Sequence, residues 1–258
     1  MKRLQTQGLC KAFSGVQAVK DVSLEVGDRE IVSLIGPNGA GKTTIFNLIS
    51  GIYPVDGGQV TLSGQSITGK PQHLITRAGI GRTFQNIRLF KGLNVLENVM
   101  TAHDPLMNYS IIHGMLCLPK RRRMDKENRD QAMRYLDMTG LTAYQNADPF
   151  SLPYGLQRKL EIARALATEP KVLLLDEPGA GLNPAEVGEL ISLVRRLHES
   201  LDMSVLLIDH RMQLIMELSK YIYVLNFGTL LAQGTPAEIR ENEEVNKAYM
   251  GEEGSVCS

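Results

Sequence analysis

Residues 36–43 read GPNGAGKT. Two glycines, Gly36 and Gly41, followed by a lysine and a hydroxyl residue fit the pattern G-x-x-x-x-G-K-[ST]. The chemistry of that string is anion binding. Glycines at Gly36, Gly39 and Gly41, with Asn38 and Ala40 between them, let backbone N–H groups turn inward around phosphate oxygens. A helix starting at Lys42 adds the positive end of its dipole. Lys42 then reaches β- and γ-phosphates, and Thr43, followed by Thr44, supplies a hydroxyl to Mg²⁺. A glycine-rich turn with a chance lysine is the bland alternative. The context argues against it: the apolar run IVSLI precedes the loop, and TTIFNLIS can begin a helix after it.

Other residues could complete a phosphate-cleaving site. VLLLDEP ends an apolar run in two adjacent carboxylates, Asp176 and Glu177. Asp176 suits Mg²⁺, directly or through water, and Glu177 suits the polarisation of an attacking water. His210 ends SVLLIDH. A lone histidine is more often structural, but strand ends of a parallel sheet meet ligands, which favours a γ-phosphate-sensing role. Gln85, in GRTFQNIRLF, draws its weight from lying between the phosphate-binding half and a helical stretch. Phe13, in KAFSGVQAV, is a core residue by base rate and a candidate to stack on adenine.

The elements that must position these residues are partly readable. VSLEV at 22–26, IVSLI at 31–35 and QVTLSG at 59–64 read as strands, as do the apolar runs at 172–176, 204–209 and 221–226. From about Leu93 to Leu166 the pattern is mainly helical. One helix is expected over Asp125–Thr139, with Ala132, Tyr135, Leu136 and Met138 on one side and Gly140 as its C-terminal cap. Asn183-Pro184-Ala185-Glu186 and Thr235-Pro236-Ala237-Glu238 both read as helix starts. A further helix follows SLPYGLQR at 151–158, with Leu156, Leu160, Ala163 and Ala167 on one side and Pro153 in its first turn. The whole reads as an α/β body interrupted by a helical insertion.

Composition narrows the partners. Lys and Arg number 28 against 28 Asp and Glu, so the basic excess of a nucleic-acid binder is missing. Cys10, Cys117 and Cys257 fit no metal-ligand spacing and point to a reducing compartment. No stretch approaches the ~18 apolar residues of a membrane helix, and the N-terminus carries no signal-peptide run. No internal repeat stands out. The charged stretch PKRRRMDKENRD mixes signs, as a solvated helix face does; contact with lipid headgroups or a membrane subunit is its alternative.

In order and spacing, GPNGAGKTT, Gln85, SLPYGLQRKLEIARAL, VLLLDEP and His210 resemble the ATP-binding subunits of ABC transporters over nearly the whole chain. The resemblance implies a P-loop NTPase (RecA-like) core with an antiparallel β subdomain and an inserted α-helical subdomain. It implies one cassette over 1–258: core and β subdomain over 1–90 and 160–235, helical subdomain over 91–159, and a C-terminal helical extension over 236–258. Its cofactors are ATP and Mg²⁺. Carried over by position, Phe13 is the adenine-stacking aromatic, 36–44 the phosphate loop and Gln85 the Mg²⁺-touching coupling glutamine. Glu177 is the catalytic base and His210 the switch histidine. Leu152, Pro153, Tyr154, Gly155 and Gln157 form the signature that faces the ATP of a second cassette. Pro153 stands where the pattern has serine, so the hydroxyl is missing and backbone N–H groups with the helix dipole must serve instead. Ala180, Gly181, Leu182 and Asn183 lie in the loop that communicates across the dimer, with Asn183 replacing the usual aspartate.

A narrower resemblance comes from GIGRTFQNIRLFKGLNVLENV, the insert around 104–128, LPYGLQRKLEIARAL, DEPGAGLNP and AYMGEE. These strings are similar to the branched-chain amino-acid importer ATPases (LivG type). They imply two membrane-spanning permease subunits, a second similar ATPase and a periplasmic solute-binding protein as partners, with no nucleic acid, at the cytoplasmic face of the inner membrane. Urea or amide importers and lipopolysaccharide exporters share some of the strings. A soluble P-loop phosphotransferase would need an acceptor pocket and lid, not a signature helix or Gln85. Translation and repair ATPases of the same superfamily would carry a second cassette or a long coiled coil.

Overall fold

The computed structural model describes residues 2–103 and 119–253. Its strands are β1 (Lys2–Phe13), β2 (Val16–Gly27), β3 (Ile31–Ile35), β4 (Gly57–Leu62), β5 (Gln65–Ser66), β6 (Ile80–Arg82), β7 (Val172–Asp176), β8 (Ser204–Ile208), β9 (Tyr221–Asn226) and β10 (Thr229–Gly234). Its helices are α1 (Lys42–Ile49), α2 (Gln72–Ala78), α3 (Val95–His103), α4 (Pro119–Met138), α5 (Tyr154–Leu166), α6 (Pro184–Ser200), α7 (Met212–Leu218), α8 (Pro236–Glu241) and α9 (Glu243–Glu253). Cys117, Cys257 and most of the 104–128 insert lie outside the described residues, as does the side chain of Arg122.

Two sheets organise the chain. One has the order β10-β9-β3-β8-β7-β6 and is parallel except where β10 returns antiparallel on β9. The other, β2-β1-β4-β5, is antiparallel throughout. Every residue of β3, β7 and β8 is buried, because the parallel sheet is covered on both faces. The alternation of a strand divides it between two cores. Ile31, Ile35, Leu173, Leu175, Val205 and Leu207 pack with the helices α3 to α6. Val32, Leu34, Val172, Leu174, Leu206 and Ile208 face the other way, onto α1 and the antiparallel sheet.

The helix-start signals hold in detail. Asn183 caps α6 and Thr235 caps α8, each in a reciprocal capping box with its glutamate, Glu186 and Glu238, and a proline at the first helical position. Gly140 closes α4: its N–H bonds the carbonyl of Asp137, and Leu141 N–H bonds that of Leu136. Ala132, Tyr135 and Leu136 are buried as expected. The helix itself starts at Pro119, six residues before the expected Asp125, because its charged first turns show no apolar period.

Four strands lie outside the expected runs, among them the two-residue β5. In β1 the buried set shifts phase, from Leu4 and Thr6 to Leu9 and Lys11, across a register shift at Gly8. That shift erases the two-residue period a reader looks for. β6 is only three residues long, and β10 is an edge strand with little burial.

Candidate active site

The parallel strands deliver the chemistry at one edge. β3 ends at Ile35 and runs into Gly36; β7 ends on Asp176; β8 leads to Asp209 and His210; β6 leads to Gln85. Ligands meet open parallel sheets outside such carboxyl ends.

The loop after β3 is a tight backbone turn. Gly36 and Gly41 have φ of 148° and 101°, and a Cβ at either would come within 2.1 Å of the Leu225 carbonyl oxygen or 2.5 Å of that of Ala18. Only glycine fits there. Lys42 Nζ donates to the carbonyls of Gly36 at 2.6 Å and Pro37 at 2.7 Å, so the ammonium sits within the curl of the loop. Gly228 N–H donates to the Ala40 carbonyl at 3.0 Å and fastens the loop to the β9–β10 turn. Asn38, Gly39 and Thr43 are exposed, while Ala40 is buried.

Around Glu177 three expected residues come together. Its backbone is left-handed, φ 47°, and its N–H bonds the Ile208 carbonyl at 2.8 Å. A glutamate held in that region stores strain, a common property of functional positions. Gln85 Nε2 donates to Glu177 Oε2 at 2.9 Å. His210 Nδ1 stands 4.0 Å from the same oxygen, too far for a direct bond and right for a bridging water. Its ring is 60% exposed, open to a ligand from outside. The neighbouring Asp209 is buried and accepts the N–H groups of Gly179 and Arg211, both at 2.9 Å. Arg211 in turn donates to the Leu182 carbonyl at 2.6 Å. The loop 179–183 is therefore tied to the segment that carries His210.

Asp176 is almost fully buried, and Arg82 Nη2 donates to its Oδ2 at 2.8 Å. Its Oδ1 is buried with no partner. Burial pushes the Asp176 carboxyl above its ordinary range, the Arg82 bond opposes that, and nearby Glu177 adds to the upward push. An unpartnered buried carboxylate oxygen, tied through Arg82 to the helix that carries the exposed Thr43 hydroxyl, fits a hard divalent cation. Among the described residues, no cluster of three His, Cys, Asp or Glu side chains could hold a metal. A cation held here would need further oxygens beyond these side chains, which a nucleotide's phosphates could supply.

The segment 152–157 departs from expectation in places. Pro153 is the N-cap of α5 rather than a residue of its first turn: φ −51° and ψ 148° are extended, and its carbonyl receives Leu156 N–H at 2.9 Å and Gln157 N–H at 3.1 Å. The side chain of Leu152 is in the core, and Gln157 Nε2 folds back onto the Leu152 carbonyl at 2.8 Å. Leu152 therefore does not face outward, and Gln157 is half-buried. Tyr154 and Gly155 do present an open face. The Tyr154 ring lies over Gly181, where a Cβ would come within 2.9 Å of it. A Cβ on Gly155 would meet Glu186 at 3.0 Å, so the signature and the 180–183 loop pack directly on each other. The buried set on α5 is wider than the single stripe expected, and it includes Arg158 and Glu161. Phe13 is not in either core. It sits half-exposed at the β1–β2 turn, edge-on to Tyr53 with ring centroids 5.1 Å apart.

Sequence reasoning missed three charged residues. Arg158 is buried and donates to Glu161 Oε2 at 2.7 Å, to the carbonyls of Phe84 at 2.9 Å and Gln85 at 3.1 Å, and to the Tyr154 hydroxyl at 3.0 Å. Glu161 receives Phe84 N–H at 2.9 Å. This pair clamps the backbone of the Gln85 loop to the signature helix. Arg82 is the third. The available signal was a pair of opposite charges three apart, at 158 and 161, on one face of the helix.

The sequence pattern described as ABC transporter matches residues 19–180, and that described as branched-chain amino acid ATP-binding cassette transporter matches 229–255. The high-affinity branched-chain amino acid transport ATP-binding protein LivG of Escherichia coli is 46% identical over 96% of this chain and 98% of its own. The lipopolysaccharide export system ATP-binding protein LptB of the same organism is 36% identical over 98% of this chain and 99% of its own. Among solved structures, the ADP conformation of an ATP-binding cassette from an ABC transporter superposes with a TM-score of 0.84 at 29% identity, covering 97% of this chain and 99% of that one.

Proposed function

We infer the function from one premise: the chain belongs to the ABC transporter family of ATP-binding cassettes. It is an ATPase whose hydrolysis is coupled to transport, of the type that serves branched-chain amino acid import. The exporter reading is the weaker one. At near-equal coverage the E. coli exporter ATPase is 36% identical and the importer ATPase 46%. The match over 229–255 points the same way.

The observation that supports hydrolysis is the convergence of Gln85 and His210 on Glu177, the residue that follows Asp176 at the end of β7. In the proposed reaction, Lys42 and the loop N–H groups hold the β- and γ-phosphates. Phe13 stacks on adenine. Glu177 accepts a proton from water as it attacks the γ-phosphorus and the bond to the β–γ bridging oxygen breaks, ADP leaving, while Gln85 and His210 fix that water in line. Asp176 and Thr43, with Gln85, are the residues that would hold Mg²⁺, which when bound neutralises charge on the β- and γ-oxygens. Tyr154 and Gly155 cover the ATP of a second, similar ATPase. Loss of the γ-phosphate charge then lets the two cassettes part.

The partners that complete this reading are two membrane-spanning permease subunits and, through them, a periplasmic solute-binding protein. Among the described residues no helix is long and apolar enough to cross a membrane; in this reading the chain sits peripherally on the cytoplasmic face, against the permease subunits. Uptake of radiolabelled leucine in cells lacking this chain tests the reading. Loss of leucine uptake, restored by the wild-type chain and not by Glu177→Gln, is the expected result. Undiminished uptake overturns the importer assignment.

A further inference from the structure

Arg82 is a cation whose side chain is only 7% exposed. It stands at the end of β6, in register with Leu174 of β7. Its Nη2 donates to Asp176 Oδ2 at 2.8 Å. Its Nη1 donates to Asn47 Oδ1 and to Ser50 Oγ, both at 2.8 Å. The guanidinium lies 5.6 Å from the Phe46 ring centroid and 5.2 Å from that of Phe84, which leaves it little freedom to swing.

The spacing of its acceptors is informative. Asn47 is four residues after Thr43, and Ser50 three after Asn47. Positions three and four apart share one face of a helix. The stripe that Arg82 grips is therefore the one that carries the Thr43 hydroxyl one turn nearer the phosphate loop. The opposite end of the guanidinium grips Asp176 by Oδ2 alone and leaves Oδ1 buried without a partner.

We propose that Arg82 is a positioning residue that fixes the Asp176 carboxylate against the Thr43 face of α1, and so sets the affinity of the nucleotide site for a divalent cation. The inference rests on the reading of Asp176 and Thr43 as the cation-holding pair. Arg82 touches neither nucleotide nor cation; it acts through Asp176. A buried ion pair alone would be weak evidence for anything but local packing. The fork to three acceptors on two elements is what distinguishes this one. A lysine carries its charge on a single nitrogen and cannot span Asp176 and the α1 stripe in the same planar geometry.

The test uses the full chain with a non-hydrolysable ATP analogue and Mn²⁺ as the probe, free Mn²⁺ being read by electron paramagnetic resonance. Arg82→Met is expected to weaken Mn²⁺ binding by about 10- to 100-fold, the usual cost of losing a partner that orients a metal ligand. Analogue affinity in excess EDTA is expected to stay unchanged. Arg82→Lys should fall between, and Asn47→Ala should shift Mn²⁺ binding in the same direction by less. A folded Arg82→Met protein with wild-type Mn²⁺ affinity overturns the proposal. Should that variant fail to fold, unchanged Mn²⁺ affinity in both Arg82→Lys and Asn47→Ala overturns it. Mn²⁺ affinity untouched by Asp176→Asn would instead sink the site reading itself, and this inference with it.

Discussion

The phosphate-loop face and the signature face are built from different materials. The first is backbone: two glycines in left-handed conformations, a lysine turned onto loop carbonyls and a helix that begins at once. The second is side chains. Pro153 offers no N–H and no hydroxyl, the Tyr154 ring rests on Gly181, and a buried Arg158–Glu161 pair holds α5 to the Gln85 loop. A backbone anion site is preformed and insensitive to most neighbours. A side-chain clamp can transmit movement, because its bonds reach across loops. In the proposed reading the chain thus has a rigid face for its own nucleotide and a linked face for its partner's.

The sharpest way to break the comparison is to silence the first face without disturbing the second. Glu177→Gln removes the proposed base and keeps the Gln85 contact as an amide. ATP hydrolysis should fall about 10²- to 10⁴-fold while ATP binding persists, and two cassettes should remain closed on unhydrolysed ATP. Single-turnover hydrolysis and gel filtration with ATP check both halves. Hydrolysis at the wild-type rate would remove Glu177 from the role.

Breaking the second face comes next. Arg158→Ala leaves Glu161 buried without its cation, which costs about 3–5 kcal/mol of stability. For a chain of this size ~3–5 kcal/mol lowers the melting temperature by roughly 10 °C. Thermal melting checks it, and a shift under about 2 °C would mean that the pair is solvated and not a clamp. Lys42→Ala is expected to weaken ATP binding by roughly 10- to 100-fold, the worth of charge-assisted bonds to phosphate at about 1.5–3 kcal/mol. Full ATP affinity in that variant would remove the lysine from the loop's task.

The two faces also differed in how far the sequence disclosed them. The phosphate loop, the DE pair and the capping boxes of α6 and α8 are contiguous strings, each forming its structure from residues within a few positions. Those could be read directly. Arg158 finds its carbonyl partners 73 and 74 positions away, and Arg82 its aspartate 94 away. A charge in a linear string looks like solvent exposure until the fold brings its acceptors in. Asn183 shows the reverse case: the change from aspartate leaves the cap intact, its Oδ1 receiving Glu186 N–H at 3.0 Å, and that much was legible because it is local.

The smallest expected effect is the most telling about the signature. With Pro153 at the N-cap, Pro153→Ser places a hydroxyl where its oxygen can accept Gly155 or Leu156 N–H, a preferred cap worth ~1 kcal/mol. Loss of the proline ring frees the unfolded chain and offsets this by about 0.4–1 kcal/mol. The melting temperature of the isolated chain should therefore barely move. In the assembled transporter the hydroxyl hydrogen gains a phosphate to donate to, because an oxygen that caps a helix still has its proton to give. If ATPase activity there rises a few-fold, the missing hydroxyl limits closure over the partner's ATP. If it stays level, Gly155 N–H and the α5 dipole already do that work, and the proline costs the second face nothing.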